Sequence, residues 1–220
     1  MPRTFPIALA GLLLAGCSNP FAPDVEKVTR RELPPAPEAT TAQVVMDNLE
    51  RAFNERDKDL YETLLDDNFY FMEEDCKGDL IYFYGKEEEL RIMGPRDGSS
   101  QGIFDIYRTI EWKYQPSRRY TELGIDYPLS FEDDPDGHPD EDWEVFRGRV
   151  EILLLERPDE GFFVDQVMSF KMREGDDGLW RIVRWKDDPL STDCGESAIT
   201  KPVGAASWSA VKAKHGGARP

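Results

Sequence analysis

The chain holds two histidines, His138 and His215, so proton transfer near neutral pH has few natural carriers. His138 falls in an acidic, proline-containing stretch and His215 in a Gly- and Lys-rich one, and neither pattern points to an apolar interior. The remaining acid–base material is a set of tyrosines and aspartates: Tyr70, Tyr82, Tyr107, Tyr114, Asp105 and Asp165. Asp165 is the best of these. Phe163 and Val167 share its strand face, and apolar neighbours raise the pKa of a carboxyl group. The plainer reading keeps Asp165 solvated on a half-exposed strand. The run from Glu132 to Asp142 places Glu132, Asp134, Asp136 and Gly137 at the first, third, fifth and sixth positions of a calcium-loop pattern. Its twelfth position is Trp143, where that loop needs a bidentate Glu, so a solvated acidic connection is expected. Glu87-Glu88-Glu89 reads in the same way, as a solvated first helical turn. No catalytic set, no metal set and no cofactor is assigned.

The elements that must position these residues belong to a chain of 220 residues, a length for one domain and at most two. Hydrophobic residues make up 40% and aromatic residues 11%, enough for a sizeable core. The formal charge is −17, and residues 41–190 alone hold 38 acidic against 19 basic side chains. Such a surface repels phosphate, which excludes nucleic acid as a partner.

Thr40 and Gln43 form a capping box ahead of Val45, Leu49, Ala52 and Phe53, one apolar helix face. Asp57 caps a second short helix bearing Leu60, Leu64 and Leu65. The aromatic runs 68–72 and 80–84 flank a turn-like segment and predict a hairpin. Lys86 to Met93 is a third helix, stopped by Gly94-Pro95. From Ile103 onward the pattern is strand-like, and 179–185 closes the series. Helices first and long antiparallel strands afterwards predict an α+β domain.

Ala52-Phe53, Asp59-Leu60-Tyr61 and Leu64-Leu65-Asp66-Asp67-Asn68-Phe69, with the closing Gly178-Leu179-Trp180-Arg181-Ile182-Val183-Arg184-Trp185, resemble the nuclear transport factor 2-like (SnoaL-like) superfamily over residues 40–190. The resemblance implies a cone: a strongly bent antiparallel sheet packed on N-terminal helices. Lengthened loops are expected at 94–102 and 115–142. Enzymes of this fold use a cone-lining His–Asp pair, or a Tyr with acids. Neither histidine fits that role here, which favours a domain that binds without catalysing. Alternating strand faces nominate Trp112, Tyr114, Phe146, Phe170, Trp180 and Ile182 as the lining of an aromatic cavity. The competing reading is that these side chains simply fill the core.

Ahead of the domain, a short apolar stretch runs into Leu14-Ala15-Gly16-Cys17. This resembles the lipobox of bacterial lipoproteins. It implies a signal peptide over 1–16, lipidation of Cys17, and a membrane partner engaged through the lipid anchor. Ser18 after the cysteine points to the outer membrane, facing the periplasm. Residues 17–39 read as a Pro-rich tether and 191–220 as a loose tail. With Cys17 lipidated, Cys76 and Cys194 remain as an even pair in an oxidising compartment, and a disulfide between them is expected. The sequence therefore points to a membrane-anchored lipoprotein with a non-catalytic domain for an unknown small ligand or protein partner. Its alternatives are an isomerase or lyase of the polyketide-cyclase kind and a calcium-dependent assembly module.

Overall fold

A computed structural model describes residues 34–74, 77, 80–132, 134–188 and 206–216. Cys17, Cys76, Cys194, the leader and most of the tether lie outside the described residues. The elements below all belong to the unit Ala36–Pro220.

Helix α1 spans Ala42–Glu55 and buries Val45, Leu49, Ala52 and Phe53, the stripe anticipated from the sequence. Its N-cap is Thr41, whose hydroxyl accepts from Val44 N, one residue later than the expected Thr40 box. Arg56 ends it in the left-handed region at φ 56°. Helix α2 (Lys58–Thr63) is capped by Asp57, which accepts from Leu60 N. Helix α3 (Lys86–Met93) stops at Gly94, whose φ of 117° suits a residue without a Cβ.

The sheet has six strands: β1 Leu65–Glu74, β2 Leu80–Gly85, β3 Thr109–Glu122, β4 Trp143–Arg157, β5 Glu160–Glu174 and β6 Trp180–Asp187. Their order is β2-β1-β6-β5-β4-β3, in one curved, unclosed sheet. Pairing is antiparallel throughout, except between β1 and β6, which run parallel. The architecture is the cone-like α+β class expected from the sequence.

Three expectations need correction. Ile103–Ile106 is a short helix, α4, because Asp105 reaches back to Gly102 N and closes a helical turn where the apolar spacing suggested strand. Residues 115–122 are not loop: β3 runs unbroken to Glu122, past a register shift between Pro116 and Arg118, paired with β4 along its length. Within the stretch read as a loose tail, Trp208–Gly216 forms helix α5, with Trp208, Val211 and Lys212 buried on one face.

The concave side of the sheet carries a row of aromatics set by register: Phe71 beside Trp185, Trp185 beside Phe170, Phe170 beside Phe146. Phe53 of α1 enters this row, its ring 4.5 Å from Trp112 and 6.1 Å from Trp185. Each large apolar side chain enclosed this way contributes about 1.5–3 kcal/mol of burial. The convex side has a second, smaller cluster, covered by the residues between β3 and β4.

Candidate functional site

Among the described residues, the most enclosed charges lie on the concave side. Glu89 projects from α3 and is 0% exposed. It accepts from Tyr61 Oη at 2.5 Å and Tyr84 Oη at 2.7 Å, and its Oε2 lies 2.7 Å from Lys212 Nζ of α5. Lysine is among the residues least often enclosed, yet Lys212 is 1% exposed. Its ammonium sits over four aromatic faces: Phe71 at 3.7 Å, Trp185 at 4.6 Å, Trp208 at 5.2 Å and Tyr84 at 5.6 Å. Ring quadrupoles and a carboxylate together replace the water that the ammonium has lost.

Asp187, at the end of β6, completes the cluster. It is 0% exposed, and its Oδ1 accepts from Trp185 Nε1 at 3.1 Å. Its Oδ2 has no hydrogen-bond partner among the described residues. Burial pushes the Asp187 carboxyl up to about 8, against the opposing pull of Lys212, so it is largely protonated at neutral pH. Burial likewise depresses Lys212, opposed by Glu89, and it raises Tyr61 well above the ordinary phenol value, assisted by Glu89.

Helix α5 closes this enclosure. Trp208 N donates to Gln166 Oε1 at 3.0 Å, and Arg91 donates to the carbonyl of Gly216 at the far end. Between them the Trp208 ring stacks on Trp185, centroids 6.1 Å apart and planes at 21°. His215 is half-buried, with its Nε2 2.9 Å from the hydroxyl of Tyr107. That corrects the expectation for His215: it reaches the rim of the cone, because α5 carries it there. Burial and the neighbouring Lys214 lower its pKa, and burial lifts Tyr107 to about 12.

His138 is also buried, at 4% exposure, but under the convex face. Its ring is stacked between Trp143 at 3.7 Å and Tyr127 at 4.8 Å. Beside it, Lys171 of β5 bonds Glu122 and Asp136, each at 2.7 Å. Burial alone would raise Asp136, yet Lys171 and Lys186 hold it below the ordinary carboxylate range.

The calcium pattern is dismantled by the same contacts. Asp136 faces a lysine ammonium, and Asp134 accepts from Ser130 N and Asp136 N of its own loop. Among the described residues no group of three His, Cys, Asp or Glu is placed to hold a metal ion.

Of the six cavity candidates, Trp112, Phe146, Phe170 and Ile182 are at most 2% exposed, and Tyr114 and Trp180 pack part-buried against the same core. Trp112 and Tyr114 meet Phe170, with ring centroids 6.0 and 6.1 Å away. Trp180 and Ile182 stand at the other end of β6, where their amides donate to Ala39 O and Leu64 O. Trp208 and the Lys212 ammonium are met by other aromatics of this side, Phe53, Phe71, Tyr84 and Trp185. Trp112 Nε1 and Tyr114 Oη lack hydrogen-bond partners among the described residues.

Asp165 lies on the outer face, exposed, bound through both oxygens to Arg149 at 2.6 and 2.7 Å. That location removes it as a proton carrier for the cone. Concavities beside the start of β1, beside Trp143 and beside Gly94 are lined by other residues than the six candidates. The first of these, about 660 Å³, lies between Asp66, Asp67 and Asp177 and the cations Lys86, Arg173 and Arg181. Its charges are paired with one another, as in Arg173 with Asp66 and Lys86 with Asp67.

Sequence reasoning missed Glu89, Asp187 and Lys212, yet each carried a signal. Glu89 stands at the apolar-face position of α3, three and four residues before the buried Ile92 and Met93. Asp187 is two residues from Trp185 on the same strand face, and Lys212 is four from Trp208 on one helix face.

No family model matches the chain, and no curated protein matches it. Solved structures do. A conserved protein from Planctomyces limnophilus is 15% identical, over 67% of this chain and 92% of its own, at a TM-score of 0.43. An NTF2-like protein of unknown function from Pseudomonas putida is 10% identical, over 73% and 93%, at 0.42. The beta subunit of the benzoate 1,2-dioxygenase from Burkholderia mallei is 11% identical, over 71% and 92%, at 0.43.

Proposed function

We propose that this chain is a membrane-anchored lipoprotein whose α+β domain binds a ligand or partner without catalysing a reaction. One observation carries the non-catalytic part: the acid at the centre of the cone is already satisfied by the chain itself. Glu89 is engaged by two tyrosyl hydroxyls and by Lys212, so it stands as a held counter-ion to a cation and not as a free base. Catalysis requires a base, a stabilising donor and a free site within reach of both. The anchor rests on the Leu14-Ala15-Gly16-Cys17 motif. Among the described residues no helix is long and apolar enough to cross a membrane.

The test is fractionation of cells expressing the full chain and its Cys17→Ser variant. The wild type is expected with membranes and in the detergent phase, and the variant in the aqueous phase. A variant that still partitions with detergent overturns the anchored reading.

A second reading, the isomerase or lyase, has one point in its favour. Asp187 retains its proton at neutral pH in the same enclosure as the hydroxyls of Tyr61 and Tyr84. Turnover of a carbonyl substrate by the wild type, abolished in Asp187→Asn, would replace the binding reading.

A further inference from the structure

Lys212 and Trp208 sit one helical turn apart, and both side chains enter the cone. What they present there is a compact chemical unit: an aromatic ring with an ammonium 5.2 Å from its centre. Around that unit the rest of the domain supplies matched partners. The indole lies on Trp185 and near Phe53, at 6.1 and 5.8 Å. The ammonium meets the faces of Phe71 and Trp185 and the carboxylate of Glu89. A side-chain ammonium has three N–H donors. Its described bond goes to Glu89, while the Asp187 Oδ2 nearby is fully buried and unpartnered.

We propose that the cone is a binding site for a primary arylalkylamine, and that α5 occupies this site in cis as a built-in competitor. The inference rests on the binding reading above and names its ligand class. The aromatic cage selects a cation on an apolar stem. The carboxylate of Glu89, reached at 2.7 Å by an N–H donor, selects a primary ammonium over a quaternary one, which has no donor to give. A neutral alcohol of the same shape leaves Glu89 buried without its cation, a costly state. Entry requires α5 to leave. Its nine residues are too few to be a stable helix alone, so its order depends on this docking.

The probe is phenethylammonium, with phenethyl alcohol and trimethyl(phenethyl)ammonium as controls. It is added to the full chain and to its Lys212→Ala variant, which vacates the ammonium position. Thermal unfolding is read for the variant, and amide exchange over residues 206–216 for the wild type.

The primary amine is expected to raise the variant's midpoint saturably, by about 5 °C, while neither control does. In the wild type the amine should accelerate exchange of 206–216, as expected of a competitor displacing α5. A folded variant that responds equally to amine and alcohol, or to neither, overturns the proposal. Should the variant not fold, the wild-type exchange decides: acceleration by the amine alone supports the site, and unchanged exchange rejects it. Either rejection leaves the anchored, non-catalytic reading standing, since that reading falls on detergent partition or on turnover.

Discussion

Two buried lysines, Lys212 and Lys171, solve the same electrostatic problem on opposite sides of one sheet. Lys171 is 3% exposed, bonded to Glu122 and Asp136, with the ring of Tyr127 5.3 Å away. Lys212 is 1% exposed, bonded to Glu89 near Asp187, with Phe71 at 3.7 Å. The difference lies in what carries them. Lys171 stands in β5, paired with Val145 of β4 on one side and Arg184 of β6 on the other. It fixes the segment before β4 to a surface that cannot move. Lys212 stands on a short helix whose backbone pairs with no strand and which packs on α3 and β5. Identical chemistry is a lock where the backbone is held on both sides, and an occupant where it is not.

The largest expected effect separates the two. Lys171→Met leaves Glu122 buried without its cation and Asp136 with Lys186 alone, and breaking a buried pair costs about 3–5 kcal/mol. Because the loss falls in the middle of the sheet, denaturant unfolding should stay one cooperative transition at a lower midpoint. Lys212→Met breaks an equivalent pair. Its cost should appear first as faster amide exchange in 206–216, with the sheet still protected. If both variants lose global stability in parallel, α5 is as fixed as the strands and the contrast fails.

A compensating substitution sharpens the point. Glu89→Gln keeps an acceptor for one of the two tyrosyl hydroxyls and offers its N–H to the other, while removing the charge that Lys212→Met strands. The double variant should recover about 2 kcal/mol relative to Lys212→Met alone, measured by chemical unfolding. Additive losses would mean the pair does not interact energetically.

The contrast also explains what could be read in advance. The stripe of α1, the Asp57 cap and the limits of α3 follow from local periodicity and turn chemistry, and the sequence states these directly. The parallel neighbours β1 and β6 were not legible, because they are far apart in the chain and no local pattern encodes their pairing. The meeting of the site's charges was illegible for a related reason, although each stood on an apolar face. Glu89, Lys212 and Asp187 come from three distant elements, and each reads alone as a solvated charge. Only their placement on buried faces turns them into partners. The acidic calcium-like run failed in the opposite direction: its spacing was suggestive, but Lys171 from a remote strand already engages Asp136, and Asp134 is held within its own loop.

Asp187→Asn should stabilise the fold, and its pH dependence identifies the cause. The folded pKa of about 8 lies above the ordinary value of 3.8, so the folded state holds a proton that the unfolded chain has released. The associated stability is fully present below pH 3.8 and drains away as pH rises through about 8. Asparagine has no proton to lose. The gain over wild type should be absent in acid, grow between pH 3.8 and about pH 8 and level off above that, seen as a widening gap in thermal midpoints. A gap that does not change with pH would mean that Asp187 is already ionised in the folded protein, held by Lys212.

The smallest effect concerns the rim. His215 meets the Tyr107 hydroxyl, with Lys214 beside it and Glu156 acting with the opposite sign. Its folded pKa lies below 6.5, so the neutral ring is the one that docks. The sign follows from proton counting: below pH 6.5 the released chain takes up a proton that the docked ring refuses. Docking is therefore fully supported above that pH and weakens as pH falls through the folded value. Half-exposure screens the effect to under about 1 kcal/mol, too little to unfold the domain. It is enough to raise amide exchange in 206–216 severalfold between neutral and mildly acidic pH, after correction for the intrinsic pH dependence of exchange. His215→Asn should flatten that response, because it removes the titrating ring while leaving Trp208 and Lys212 in the cone. A response that persists in the variant would assign the pH sensitivity to the Glu89–Lys212–Asp187 cluster, and the hold on α5 would then lie wholly inside the cone.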